Sequence, residues 1–213
     1  MKSYGEYCPI AMGAEAIGDR WTPLVLRELI CGSERFSEIH RGVPRMSRTL
    51  LSQRLRQLER IEVVERTDGG RYRLTPAGRD LEQVVWGIGD WAMQWLFGDP
   101  AQEHDDGAHL MWRVRQRLVD EALPPERTVV QFDFRRAQRG KRIWLLLDPQ
   151  GSTVCERDEG FDVDLWVTSD IGDFQRIWAG RTTWAQAIDA GALTLHGPDR
   201  LVRAFPRWFA LSP

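Results

Sequence analysis

The sequence predicts an α+β chain in two parts: a mainly helical first part carrying a small β-hairpin, and a second part of mixed strands and helices. Three observations predict it. Residues 35–79 run through a short helix, a turn, an arginine-rich amphipathic helix and a Gly-Gly hairpin. A polar stretch with Gly98, Asp99, Pro100 and Gly107 then interrupts the apolar periodicity, as breakers between folded units do. Beyond it, period-two alternation such as Val163, Leu165 and Val167 mixes with short helical patterns. A length of 213 residues suits one or two domains, and a hydrophobic content of 42% is enough for packed cores.

Each element has a local reason. Residues 11–31 predict a helix broken near Gly18-Asp19, with an apolar face of Trp21, Leu24, Val25, Leu26 and Leu29 and with Pro23 tolerated in a first turn. Phe36, Ile39 and Val43 predict a short second helix. Ser47 is expected to cap the next helix, which runs to about Ile61 and turns Leu51, Leu55 and Leu58 inward. Val63–Arg66 and Arg71–Leu74 flank Asp68-Gly69-Gly70, a hairpin signal. Thr75-Pro76 opens a helix to Phe97 with Leu81, Val84, Val85, Ile88, Trp91, Ala92 and Trp95 on a broad apolar face.

After the break, a helix is expected at 109–122. Strands are expected at 128–134, 142–148, 152–156, 162–168 and 192–195, and short helices at 171–178, 183–190 and 199–209. The expected division is 1–98, a linker and connecting helix over 99–125, and a second domain over 126–213.

The charge distribution narrows the function. Net charge is −2, so a nucleic-acid reader must concentrate its cations locally. Residues 41–60 hold six arginines against one acid, Glu59, whereas residues 98–213 hold 15 basic and 18 acidic residues. On the helix after Ser47, Arg48, Thr49, Ser52, Gln53 and Arg56 lie largely opposite the leucine stripe. Arg binds guanine bidentately, Gln binds adenine, and Ser or Thr serves either, so these types suit base edges in a major groove. Arg45 and Arg54 are expected at phosphates, the capping Ser47 is also expected at the DNA, and Arg71 and Arg73 on the hairpin are expected at backbone or minor groove. The alternative is a solvated arginine face, since Arg is the default cation of this chain, 27 against two Lys.

Other classes find little purchase. His40, His104, His109 and His196 are isolated, and no HExxH, phosphate loop or dinucleotide fingerprint occurs, so neither an enzyme nor a cofactor or metal is expected. Cys8, Cys31 and Cys155 show no CxxC spacing. The start lacks a signal-peptide core, and no run reaches the roughly 18 apolar residues of a membrane helix, so a reducing cytoplasm and no membrane partner are expected.

The segments YCP at 7–9, GDRWTPLVLREL at 18–29, RFSEIHRGVPRMSRTLLSQRLRQLE at 35–59 and RYRLTPAGRDL at 71–81 together resemble the HxlR-type winged helix-turn-helix transcription regulators. The resemblance covers about residues 7–97. It implies a homodimer on inverted-repeat double-stranded DNA, usually a repressor and sometimes an activator. It also implies a redox-sensing role for Cys8. The apolar surface of the helix 76–97, with Trp86, Trp91, Trp95, Leu96 and Phe97, predicts that it pairs with its copy together with the N-terminal helix, packing against the second domain being the alternative. One departure stands at Arg60-Ile61-Glu62-Val63-Val64, where the family has an acidic residue, glycine, leucine and valine; the turn into the wing is therefore expected to differ.

Residues 161–209 resemble the SCP2 (sterol carrier protein 2) fold through Gly180, Ala187-Ile188, Gly191 and the Leu193-Thr-Leu195-His-Gly197 strand. That resemblance implies a five-stranded sheet with helices around an apolar tunnel. Trp144, Trp166, Trp178 and Trp184 are the expected wall of a cavity for a hydrophobic small-molecule effector, a plain aromatic core being the alternative. Three functions follow: a dimeric DNA-binding regulator tuned by that effector, the same regulator switched by Cys8 with a structural second domain, or a hydrophobic-ligand carrier whose winged helix mainly dimerises.

Overall fold

The computed structural model describes residues 3–99 and 105–210, and the chain divides into two compact units, Met1–Phe97 and Gly98–Pro213. The expected polar break falls partly on residues 100–104, outside the described residues.

The first unit contains α1 (Pro9–Ile17), α2 (Thr22–Ile30), α3 (Phe36–Gly42), α4 (Arg48–Arg60), β1 (Val64–Arg66), β2 (Tyr72–Leu74), α5 (Pro76–Asp80) and α6 (Glu82–Trp95). The break expected near Gly18 is a turn ending at Trp21, which takes a left-handed φ of 78°. The leucine stripe behaves as its 3.6-residue spacing requires. Leu51, Leu55 and Leu58 are buried against Val25, Leu26, Ile39, Val43 and Met46. Beneath them Glu28 is wholly buried and paired with Arg27 at 2.8 Å. Arg27 also donates to the Gly42 carbonyl at 3.1 Å. A Cβ at Gly42 would stand 1.9 Å from the Glu28 carboxyl carbon, so glycine is what lets α3 pass over this pair.

The turn from α4 into the hairpin is made without glycine. Glu62 itself adopts φ 57°, a conformation that costs an L-residue roughly 1–2 kcal/mol. The surroundings hold it there: Thr75 Oγ1 donates to the Glu62 carbonyl at 2.6 Å, and the Val63 amide donates to Leu58 O at 3.0 Å. Gly78 is also required, because a Cβ there would meet the Val63 carbonyl oxygen at 2.1 Å. β1 and β2 then pair antiparallel, Val64 opposite Leu74 and Arg66 opposite Tyr72. The expected helix over 76–97 is two helices, α5 and α6, meeting at Leu81.

The second unit is built on a five-stranded sheet of order β5-β4-β3-β6-β7, formed by β3 (Thr128–Arg135), β4 (Arg142–Asp148), β5 (Gly151–Cys155), β6 (Leu165–Asp170) and β7 (Leu193–His196). Within this sheet β3 and β6 pair parallel, and the β3–β4, β4–β5 and β6–β7 pairs are antiparallel. Its helices are α7 (Gly107–Arg115), α8 (Ile171–Trp178), α9 (Trp184–Asp189) and α10 (Asp199–Ala204). The helix expected over 109–122 stops at Arg115, and 120–122 form a separate 3-10 turn. One sheet face, with Val130, Phe132, Phe134, Ile143, Leu145, Leu165 and Val167, joins Met111, Phe174, Ile177, Trp184, Phe205 and Trp208 in a single core. The opposite face carries a row fixed by strand register: Cys155, Trp144, Gln131, Trp166 and His196.

Candidate nucleic-acid interface

The candidate surface begins at the N-terminus of α4. The Ser47 hydroxyl accepts from the Leu50 amide at 3.2 Å, a helix cap worth about 1 kcal/mol. With the leucine stripe buried, Arg45, Ser47, Arg48, Thr49, Gln53 and Arg56 are exposed and Ser52 is half-buried. The Arg48 guanidinium lies over the Phe36 ring at 5.1 Å, which holds the side chain beside the helix start. The far end of α4 is of mixed charge: a depression there is lined by Glu59, Glu62 and Glu65 together with Arg66. At the N-terminus of the helix, where Arg45 and Arg48 are exposed, the backbone dipole also favours anions.

Arg54 is placed differently from its expected position at phosphates. Its guanidinium is turned inward and donates to the Asp19 carboxylate and, at 2.7 Å, to Gln57 Oε1. Its side chain is only 12% exposed. It ties α4 to the turn between α1 and α2.

The hairpin arginines flank a buried anchor. Tyr72 is buried while Arg71 and Arg73, one residue to either side, are exposed, as strand alternation dictates. Both reach Glu34, in the loop before α3: Arg71 Nη1 at 3.1 Å from Oε2 and Arg73 Nε at 2.9 Å from Oε1. The hydrogen bonds from Arg73 and then Arg71 hold the Glu34 carboxyl below the usual carboxylate range. Sequence reasoning passed over Glu34, because it lies 37 residues from Arg71 and 39 from Arg73 with no local pattern to join them.

A second surface is apolar. Ile10 and Met12 on α1, and Val84, Ile88, Trp91 and Trp95 on α6, followed by Leu96 and Phe97, are all exposed. Cys8 is half-buried at the N-cap of α1.

The four tryptophans expected to share a cavity wall are not brought together. Trp184 sits in the inner core, 5.8 Å from Phe174 and 5.2 Å from Phe205. Trp178 packs half-buried at the edge of that core, with the Arg117 guanidinium over its ring at 5.0 Å. Trp144 and Trp166 lie on the other sheet face. Trp144 donates to Gln131 Oε1 at 3.2 Å, and Trp166 rests 5.9 Å from the His196 ring. Alternation along β4 and β6 separates the two sets. The aromatic neighbour Trp184 does share is Phe205, which also packs against Trp208 at 5.4 Å. The buried indole N–H groups of both Trp184 and Trp208 have no hydrogen-bond partner among the described residues.

Among the described residues no group of three His, Cys, Asp or Glu side chains is arranged to hold a metal, and no helix is long and apolar enough to cross a membrane.

Comparison with known proteins places relatives on the first unit. Residues 16–99 match the HxlR-like helix-turn-helix family. The HTH-type transcriptional regulator YvaP of Bacillus subtilis (strain 168) is 35% identical over 103 residues, 45% of this chain and 94% of YvaP. YodB, an HTH-type transcriptional regulator of the same organism, is 35% identical over 94 residues, 41% of this chain and 84% of YodB. The crystal structure of quinone-bound YodB is 36% identical and covers 41% of this chain and 99% of that chain, with a TM-score of 0.39.

Proposed function

Because the chain belongs to the HxlR-like helix-turn-helix family, whose members here are transcriptional regulators and not enzymes, we propose that it works as a homodimeric repressor on an inverted-repeat operator. α4 enters the major groove and the β1–β2 hairpin serves as the wing. The observation that carries this reading is the two-sided construction of α4. A capped helix anchored by Leu51, Leu55 and Leu58 leaves Arg48, Thr49, Gln53 and Arg56 exposed, with Ser52 beside them. Arg45, Arg71 and Arg73 flank that face as phosphate or minor-groove contacts.

Dimerisation is supported by the exposed apolar residues of α1 and α6. Trp91 is 55% exposed and Trp95 66%, an amount of open aromatic surface that marks an association site. A two-fold operator needs a two-fold protein, and a second copy covers this face.

The relatives cover less than half of this chain. For the second unit we propose an SCP2-like domain that takes a hydrophobic effector. The partnerless indole N–H groups of Trp184 and Trp208, inside an aromatic core, suit an apolar molecule that carries a hydrogen-bond acceptor. Binding then shifts the repressor between DNA-competent and incompetent forms in proportion to its differential affinity for them. Native mass spectrometry of the purified chain tests this, and a mass equal to the bare polypeptide after purification in effector-free buffer, with no gain on adding a fatty acid, speaks against it.

A second reading keeps the regulator and replaces the effector by oxidation of Cys8. It is favoured by the position of that half-buried cysteine at the N-cap of α1, directly ahead of its first turn. Operator affinity before and after diamide treatment separates the two readings: a loss that Cys8→Ser abolishes supports the thiol switch.

A further inference from the structure

We propose that Glu34 is the positioning residue of the wing: it fixes where Arg71 and Arg73 present their guanidinium groups, and so contributes to discrimination between DNA sequences and not to overall attraction for DNA. This rests on reading the β1–β2 hairpin as a DNA-contacting wing.

The wing needs an external support. Its strands have three residues each, and a two-stranded ribbon of that size is marginal by itself. Glu34 supplies support at three points. Its carbonyl accepts from the Tyr72 amide at 2.7 Å, which adds a backbone bond to the strand between the two arginines. Its own amide donates to Glu38 Oε2 at 3.1 Å, so the residue is fixed to the start of α3. Its two carboxylate oxygens are divided between the arginines, one each. The loop before α3 is thereby joined to the wing through one residue. Because α3 and α4 share the core of the unit, the arginines are set relative to the exposed face of α4.

The contacts leave the arginines usable. Each guanidinium carries five N–H donors, and the side chains of Arg71 and Arg73 remain 47% and 53% exposed. One carboxylate against two guanidiniums leaves the cluster with a net positive charge, but less than an unclamped wing would carry. The attraction of two free arginines for any phosphate is thus exchanged for a fixed presentation. Depression of the Glu34 carboxyl by these two partners keeps it ionised throughout the neutral range.

A positioning role and an autoinhibitory role predict different signs. If Glu34 merely masked cations, removing its charge would tighten binding to every DNA equally. If it positions them, the selected sequence loses affinity while other DNA does not. The test uses the full chain, a duplex enriched from a random pool by the wild-type protein, and a scrambled duplex of equal length, with Kd measured by fluorescence anisotropy over a salt series. For Glu34→Gln we expect binding to the selected duplex to weaken about fivefold, the worth of roughly one net hydrogen bond. Binding to the scrambled duplex should hold or tighten, with a steeper salt dependence. The change should vanish when Arg71→Ala and Arg73→Ala are already present.

A second variant avoids any concern over folding. Arg71→Lys with Arg73→Lys keeps both charges but loses the planar fork, and should preserve scrambled-duplex affinity while lowering the ratio of selected to scrambled binding. A ratio that is unchanged or raised in Glu34→Gln overturns the proposal. If Arg71→Ala with Arg73→Ala leaves both affinities untouched, the wing reading fails first. If that variant weakens binding but Glu34→Gln does not lower the ratio, only the positioning role fails.

Discussion

The guanidinium of Arg54 closes on the carboxylate of Asp19, so an arginine in the middle of the candidate reading helix holds the helix in place from behind. The arginine two residues on, Arg56, is exposed. Two neighbours of the same type are thus expected to fail differently. Arg54→Ala should lower folding stability by roughly 1 kcal/mol, discounted because Asp19 is partly solvated, and leave sequence preference intact. Arg56→Ala should leave the melting temperature unchanged and cost about 1–3 kcal/mol of specific binding if it meets a base. Thermal melts and anisotropy on the same two proteins check both.

Glu62 offers a gain of stability. It occupies a left-handed conformation at φ 57° where glycine carries no Cβ penalty. Glu62→Gly should raise stability by about 1 kcal/mol in chemical denaturation. Thr75→Val, which removes the hydroxyl donating to the Glu62 and Val63 carbonyls, should lower it. A neutral or negative effect of Glu62→Gly would show that the turn is not strained.

The clamp at Glu34 has a defined pH dependence. Its carboxyl is depressed below the ordinary 4.5 by hydrogen bonds from Arg73 and Arg71. The folded value lies below the unfolded one, so the contribution is fully present above pH 4.5 and is lost as pH falls through the lowered value. NMR titration of the Glu34 side chain should give a midpoint below that of a free glutamate, returning toward it in the Arg71→Ala, Arg73→Ala protein.

The proposed pairing through the exposed apolar residues of α1 and α6 is tested by the oligomeric state. Light scattering should report about twice the chain mass of 24.6 kDa at micromolar concentration. Trp91→Glu, at a residue more than half exposed in the single chain, should shift the protein toward monomer without unfolding it and abolish tight operator binding. A wild-type chain that stays monomeric refutes the pairing.

How much of this was legible in the sequence follows from distance along the chain. The Ser47 cap and the Leu51, Leu55, Leu58 stripe are local patterns, and both stand in the structure where their spacing put them. Arg54 and Glu34 were not legible in their roles, because Asp19 lies 35 residues from the first and the wing arginines 37 and 39 from the second. The absent glycine near Glu62 marked an unusual turn, but no local rule says that the glutamate itself takes the left-handed position. For the tryptophans, alternation showed that only one face of a strand faces inward. Which face the helices cover depends on tertiary packing, and that packing puts Trp184 on one side and Trp144 and Trp166 on the other.

Sequence reading is proposed to lie on the exposed face of α4. The direct measurement is a salt titration of Kd for the full chain on a duplex it has selected from a random pool and on a scrambled duplex of the same length. A face that reads sequence should give at least about a thousandfold preference for the selected duplex near physiological salt, with a steep fall in both affinities as salt rises. Gln53→Ala and Arg56→Ala should erode the preference without steepening that fall. Equal affinity for the two duplexes, or a preference that survives both substitutions, would contradict this proposal.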